Sequence, residues 1–180
     1  GRAEHVFSAF CSAREQLVEH VSSCGRGMEI HDPLRLLDET DLTSKVMTTG
    51  KISMNKKIIR KIVVNGVDYV LWVKRNQKDL LEEIETAFRE PVFSPSETHE
   101  LADLGHGRIG QRSIVLLPVE ALFEQMRTAW PTVRAIACLE RRRDHFRAGR
   151  VIKVEKENTF LIISLNASIP HAILRFNRRH

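Results

Sequence analysis

The chain has 180 residues, 42% of them hydrophobic and 28% charged, with 28 Lys+Arg against 23 Asp+Glu for a formal net charge of +5. That balance gives room for one core-bearing domain, or one domain plus a small appendage, gives no sign of disorder, and leaves an anionic partner open without requiring one. No apolar run nears the roughly 18–20 residues of a membrane helix, GRAEHVFSAF lacks the shape of a signal peptide, and Cys11, Cys24 and Cys138 are scattered without CxxC, as suits reduced thiols in a cytoplasmic protein with no membrane partner.

His5–Ser12 and Glu15–Ser22 read as the two strands of a hairpin, and Ser23–Gly27 as a loop. Asp32-Pro33 ahead of Leu34 and Leu37 predicts a short helix with Asp as its cap and Pro at its first position. A short strand at Lys45–Thr49 then runs into Gly50. Met54, Ile58, Ile59, Ile62 and Val63 recur at helical spacing, with Lys56, Lys57, Arg60 and Lys61 opposite, and Asn65-Gly66 is a left-handed stop signal. Tyr69–Val73 is a strand apolar on both faces that breaks abruptly into Lys74-Arg75-Asn76-Gln77. Leu80, Leu81, Ile84, Ala87 and Phe88 mark the next helix, with Pro91 just beyond it.

Phe93–Gly110 reads as loop-rich, followed by a strand at Ser113–Leu117. Val119, Leu122, Phe123, Met126 and Trp130 predict one helix ending at Pro131. Val133–Leu139 and Thr159–Leu165 predict strands, and Ser168–Phe176 a helix. Helices alternating with strands over residues 30–90 imply right-handed crossovers and a largely parallel inner sheet. The hairpin adds antiparallel strands, so the expected class is α/β with a mixed sheet.

Most catalytic signatures are missing. There is no GxSxG elbow, no GxxxxGK[ST] and no GxGxxG. His99 and His106 stand seven apart with no cysteine or histidine at ligand spacing, and Gly105-His106-Gly107 reads as a turn. Two basic sets remain. Lys74-Arg75 sits at the C-terminal end of an inner strand, where open α/β sheets take ligands; it also reads as a solvated corner. Arg141-Arg142-Arg143 suits phosphate; on a strand edge or loop it reads equally as a solubility device. No aromatics interleave with these cations, which argues against a single-strand stacking platform. Composition and spacing leave an enzyme and a binding module on equal footing.

Several stretches in order resemble one family, the H-repeat-associated insertion-sequence transposases of the DDE class. KKIIRKIVVNGVDYVLWVKRNQKDLLEEIETAF is similar to that family's helix, DYVLxxKGNQ strand and following helix. DLGHGRIGQR is similar to D-K-G-H-G-R-I-E-x-R, AWPTVRAIACLE to W-P-x-L-x-x-I-x-x-V-E, and TFLIISL to Y-Y-I-S-S-L, while HVFSAF matches a strand near the start. The order and spacing agree over roughly residues 5 to 176. The resemblance implies an RNase H-like mixed sheet with flanking helices and its first strand missing. Residues 1–180 would then form a single partial catalytic domain, with 92–165 as a loop- and strand-rich insertion.

The chemistry implied is phosphoryl transfer on DNA, with three carboxylates holding two magnesium ions. The first aspartate belongs to an I-D-G-K strand upstream of the hairpin, before this sequence begins. Counting back from Asp68 puts Gly50 at the second. The third, a glutamate in an H-W-x-I-E helix, falls beyond His180. Gly110 stands for the glutamate of HGRIE and Arg75 for the glycine of KGNQ. The resemblance therefore implies a degenerate, truncated copy without catalytic or metal-ligating residues and with no cofactor of its own; the alternatives are a fragment of an active transposase, or a non-enzymatic DNA- or protein-binding module derived from one. Lys74, Arg75, Asn76, His106, Arg108, Arg141, Arg142 and Arg143 are its candidate contacts to DNA. Loss of the first strand would leave an open sheet edge beside the hairpin, implying self-association or pairing with a related transposase.

Overall fold

The computed structural model describes residues 4–11, 16–24, 31–43, 45–49, 56–105 and 108–165. The predicted helix at Ser168–Phe176, Gly50 and His106 lie outside them. The chain divides into two compact units, one up to Leu71 and the other from Trp72 onward.

In the first unit, β1 (Glu4–Cys11) and β2 (Gln16–Cys24) form the expected antiparallel hairpin, with a register shift at Ala9/Phe10. Helix α1 (His31–Glu39) packs beside β2. It begins at His31, so Pro33 lies inside the first turn, where no i−4 carbonyl awaits its missing N–H. β3 (Val46–Thr49) and β4 (Asp68–Trp72) pair in parallel, joined by α2 (Lys56–Val64).

The end of α2 shows why Asn65-Gly66 stops it. Val67 N–H donates to the Ile62 carbonyl at 3.1 Å and Gly66 N–H to the Val63 carbonyl at 3.0 Å, with Gly66 at φ 67°. This pair of bonds is a Schellman motif, and its two apolar members, Ile62 and Val67, are both buried. Asn65 Nδ2 donates to the Leu37 carbonyl at 2.6 Å, and Lys61 pairs with Asp38, so α1 and α2 are fastened at this corner. Ile58, Ile59, Ile62, Tyr69, Val70 and Leu71 form the core of the unit.

In the second unit, α3 (Lys78–Arg89) turns Leu80 and Ile84 inward, and Phe88 meets Phe160 with ring centroids 6.0 Å apart. The remainder departs from the sequence reading in three places. Phe93–Gly110 is not loop-rich: it contains β5 (Ser96–Gly105) and the start of β6 (Arg108–Pro118), paired antiparallel. The predicted helix over 119–130 is a 3-10 turn at Val119–Ala121 followed by a two-turn α4 (Glu124–Ala129). The two later strands are also much longer than their apolar runs. β7 covers Ala135–Arg147 and β8 covers Arg150–Ile163.

β5, β6, β7 and β8 form an antiparallel meander, so the largely parallel sheet is found only at β3 and β4. The meander has two chemically different halves. Near its base, Ala135, Ile136, Ala137, Leu139, Leu161, Ile162 and Ile163 are buried on both sides of the sheet. Beyond Leu139 the same strands leave the core and become charged, and backbone pairing alone continues them. The class is mixed α/β.

Candidate functional site

The second unit opens at the strand-to-helix corner. Val73 is buried, and its N–H donates to the Phe160 carbonyl at 2.8 Å, fixing the chain where the apolar strand ends. Gln77 N–H then returns to the Lys74 carbonyl at 2.9 Å and Leu81 N–H to the Gln77 carbonyl at 2.9 Å, closing a turn into α3. Arg75 and Asn76 are exposed on that turn, and Lys74 is half-buried.

The second basic set lies within β7, which pairs with β6 on one side and β8 on the other. It is therefore neither a strand edge nor a loop, as the sequence left open. Apolarity ends at Leu139, but the ladder runs on to Arg147. Side chains alternate along a strand, so Arg141 and Arg143 face one side and Arg142 the other. The run of three arginines is not one patch.

Each arginine has a different environment. Arg142 Nε donates to Asp144 Oδ1 at 2.9 Å and its Nη2 to Oδ2 at 3.1 Å. This bidentate hydrogen bond raises the guanidinium pKa. Arg141 stacks on an aromatic ring: its Cζ is 5.5 Å from the centre of the Trp72 ring. Burial first, and then the charge of Arg112, push its pKa down, against a partial pull from Glu157. Arg143 is exposed.

Two of these relationships escaped the sequence. Arg112 stands directly opposite Arg141, with Glu100 and Glu157 at the outer positions of the same cross-strand row. Arg112 Nη1 is buried with no hydrogen-bond partner among the described residues. Two neighbouring guanidiniums on one face repel each other and favour an anion between them. Trp72 is the other omission: it stands two residues before Lys74 and under Arg141, so it joins the corner to the basic strand within one unit. Only strand pairing could reveal Arg112, and that pairing was hidden by the loop-like composition of 93–110.

Further out, His145 Nε2 lies 3.3 Å from Glu155 Oε2 and Lys153 Nζ 2.6 Å from Oε1. Lys153 and then His145 hold the Glu155 carboxyl down at about 2. Arg147 and Arg150 close the hairpin, opposite each other around Ala148 and Gly149. From Glu140 to Asn158 there are seven Lys and Arg against four Asp and Glu. Arg108 opens β6 in register with His145.

Among the described residues, no three His, Cys, Asp or Glu side chains gather into a group able to hold a metal ion. The Cys138 thiol is pushed up to about 11 by burial, with a smaller push from Glu140, so it is a poor nucleophile at neutral pH. No helix among the described residues is long and apolar enough to cross a membrane.

No protein-family model and no solved structure matches the chain. Among curated proteins it is 30% identical over 108 residues to the YbfL protein of Escherichia coli (strain K12), covering 59% of this chain and 29% of YbfL. It is 29% identical over 108 residues to the H repeat-associated putative transposase YbfD of the same organism, 43% of which is covered. It is also 29% identical over 108 residues to the H repeat-associated putative transposase YhhI, 29% of which is covered. The chain spans less than half the length of each of these relatives, and two of them, YbfD and YhhI, relate it to proteins named as transposases.

Proposed function

We propose that this chain derives from a DDE-class DNA transposase with an RNase H-like catalytic domain, and that it binds DNA phosphates without catalysing strand cleavage itself. The observation that carries the reading is the similarity to YbfD and YhhI, both named as transposases. In support, the second unit concentrates cations at the Lys74–Asn76 corner and on the Arg112–Arg141 face, where a buried guanidinium nitrogen of Arg112 has no hydrogen-bond partner among the described residues. A phosphate oxygen would offset the repulsion between those guanidiniums.

Two magnesium ions held by converging carboxylates would supply the nucleophile and leaving-group chemistry of such an enzyme. Among the described residues the donor set does not fit them. The described residues hold no cluster of three candidate ligands, and glycine occupies position 50, which matches the second carboxylate in the resemblance. No catalytic step is therefore assigned to the chain.

Titration of the 180-residue protein against a labelled duplex across a salt series tests the binding arm. Affinity should fall linearly on a log–log plot as salt rises, with a slope of about −0.9 per phosphate neutralised. A flat response overturns it. Incubation with end-labelled transposon ends and Mg2+ or Mn2+ tests the catalytic arm. No nicking above background is expected, and nicking would refute the inactive site.

A further inference from the structure

Within its unit, and among the described residues, the outer half of β8 is an exposed strand paired on one side only. Every residue from Arg147 to Val154 is exposed, including Val151 at 49%, Ile152 at 63% and Val154 at 46%. One side of this segment pairs with β7. On the other side, within its unit, the Phe160 carbonyl takes the Val73 N–H, beyond the outer half of the strand. Unpaired N–H and C=O groups along such an edge are a template for another strand.

The side chains specify what that strand is. Edge lysines normally discourage pairing, but here Lys153 and Lys156 are interleaved with Glu155 and Glu157. For two copies meeting antiparallel about a two-fold axis normal to the sheet, facing residues must share a face. A register centred on Lys153, Glu155 or Lys156 puts like charges on the axis. Centred on Val154, the pairs are Val154 with Val154, Lys153 with Glu155 and Ile152 with Lys156. Two opposite-charge pairs then flank an apolar contact, and the Ile152 side chain lies on the aliphatic stem of Lys156. Centring on Ile152 forms no ion pair and runs the overlap into the Ala148-Gly149 turn.

We propose that the Arg150–Glu157 edge of β8 is a homodimerisation surface, in which a second copy of this chain adds antiparallel in the register centred on Val154. Lys153 and Glu155 already touch within one strand, so dimerisation exchanges an intrachain partner for the same partner on the other copy. The surface is separate from the corner and meets the Arg112–Arg141 row only at Glu157, and the inference does not depend on the DNA-binding reading.

Sedimentation equilibrium of the full 180-residue protein over a concentration series tests it, with circular dichroism confirming the fold of each variant. The parent should show a reversible monomer–dimer equilibrium. Lys153→Glu alone puts two glutamates together across each junction, and Glu155→Lys alone puts two lysines together. Each should weaken the dimer by about tenfold or more. The double exchange Lys153→Glu/Glu155→Lys restores opposite charges and should recover the parent affinity to within about threefold. A parent that stays monomeric throughout overturns the proposal. So does a dimer indifferent to the single exchanges, or folded single and double variants that are equally monomeric.

Discussion

The Arg141 guanidinium carbon lies 5.5 Å from the centre of the Trp72 ring, joining the end of a buried strand to the middle of a charged one. Arg141 is brought there by β7, and Trp72 by the strand that ends at the Lys74 corner. Their contact places the cation over the electron-rich face of the indole. A double-mutant cycle between Trp72→Ala and Arg141→Ala, followed by chemical denaturation, should give a coupling of about 0.5–1 kcal/mol. Arg141→Lys should retain only part of it, because an ammonium lacks the planar stacking surface. Zero coupling would mean that the two side chains are merely neighbours.

The alternation of β7 separates its arginines by role. Arg142 already serves Asp144 through two hydrogen bonds, whereas Arg143 is exposed on the opposite face. If the Arg141 and Arg143 face meets phosphate, Arg143→Ala should weaken duplex binding at every sequence and reduce the salt slope by about one. The paired replacement Arg142→Gln/Asp144→Asn removes both charges together and should leave that slope unchanged. The reverse ranking in a filter-binding salt series would assign the contact to the other face.

What the sequence disclosed follows from where local signals were sufficient. The hairpin, α2, its Asn65-Gly66 stop, β4 and α3 were legible because apolar period and turn chemistry agree there. The distal strands were not, because reading strands by apolarity stops at Leu139, while β7 continues to Arg147 on the strength of its ladders. The helix over 119–130 failed for the opposite reason. Its apolar residues have helical spacing, but Leu122 and Phe123 are extended, and Glu83 accepts the Phe123 N–H where a helical bond would begin. Of the candidate site, the Lys74–Asn76 corner was legible as a polar break after an apolar strand. The Arg112 partnership was not, since it exists only across a ladder of distant residues.

Two positive-φ positions offer opposite tests of backbone strain. Ala148 has φ 49° and Gly149 φ 74° in the two-residue turn between β7 and β8, and an alanine there carries the left-handed cost that glycine avoids. Ala148→Gly should raise stability by about 1 kcal/mol. Gly66→Ala should lower it by about the same amount, because the new Cβ would meet only Thr43 Cγ2 at 3.5 Å, an ordinary contact, and the backbone alone resists. Urea midpoints of the two variants should move in opposite directions. Parallel shifts would show that turn strain is not the controlling factor.

Glu155 supplies a pH signature for the distal hairpin. Lys153 first, then His145, depress its carboxyl to about 2, below the roughly 4.3 of an unfolded glutamate. The native state thus holds the ionised form better than the unfolded chain does. Its contribution to stability is complete above the unfolded value and disappears as pH falls through about 2. At protein concentrations low enough to keep the chain monomeric, Glu155→Gln should be less stable than the parent at pH 5–7. The two denaturation curves should converge as the pH drops from about 4 toward 2. A stability difference that stays constant across that range would show that the side chain acts through packing instead of charge.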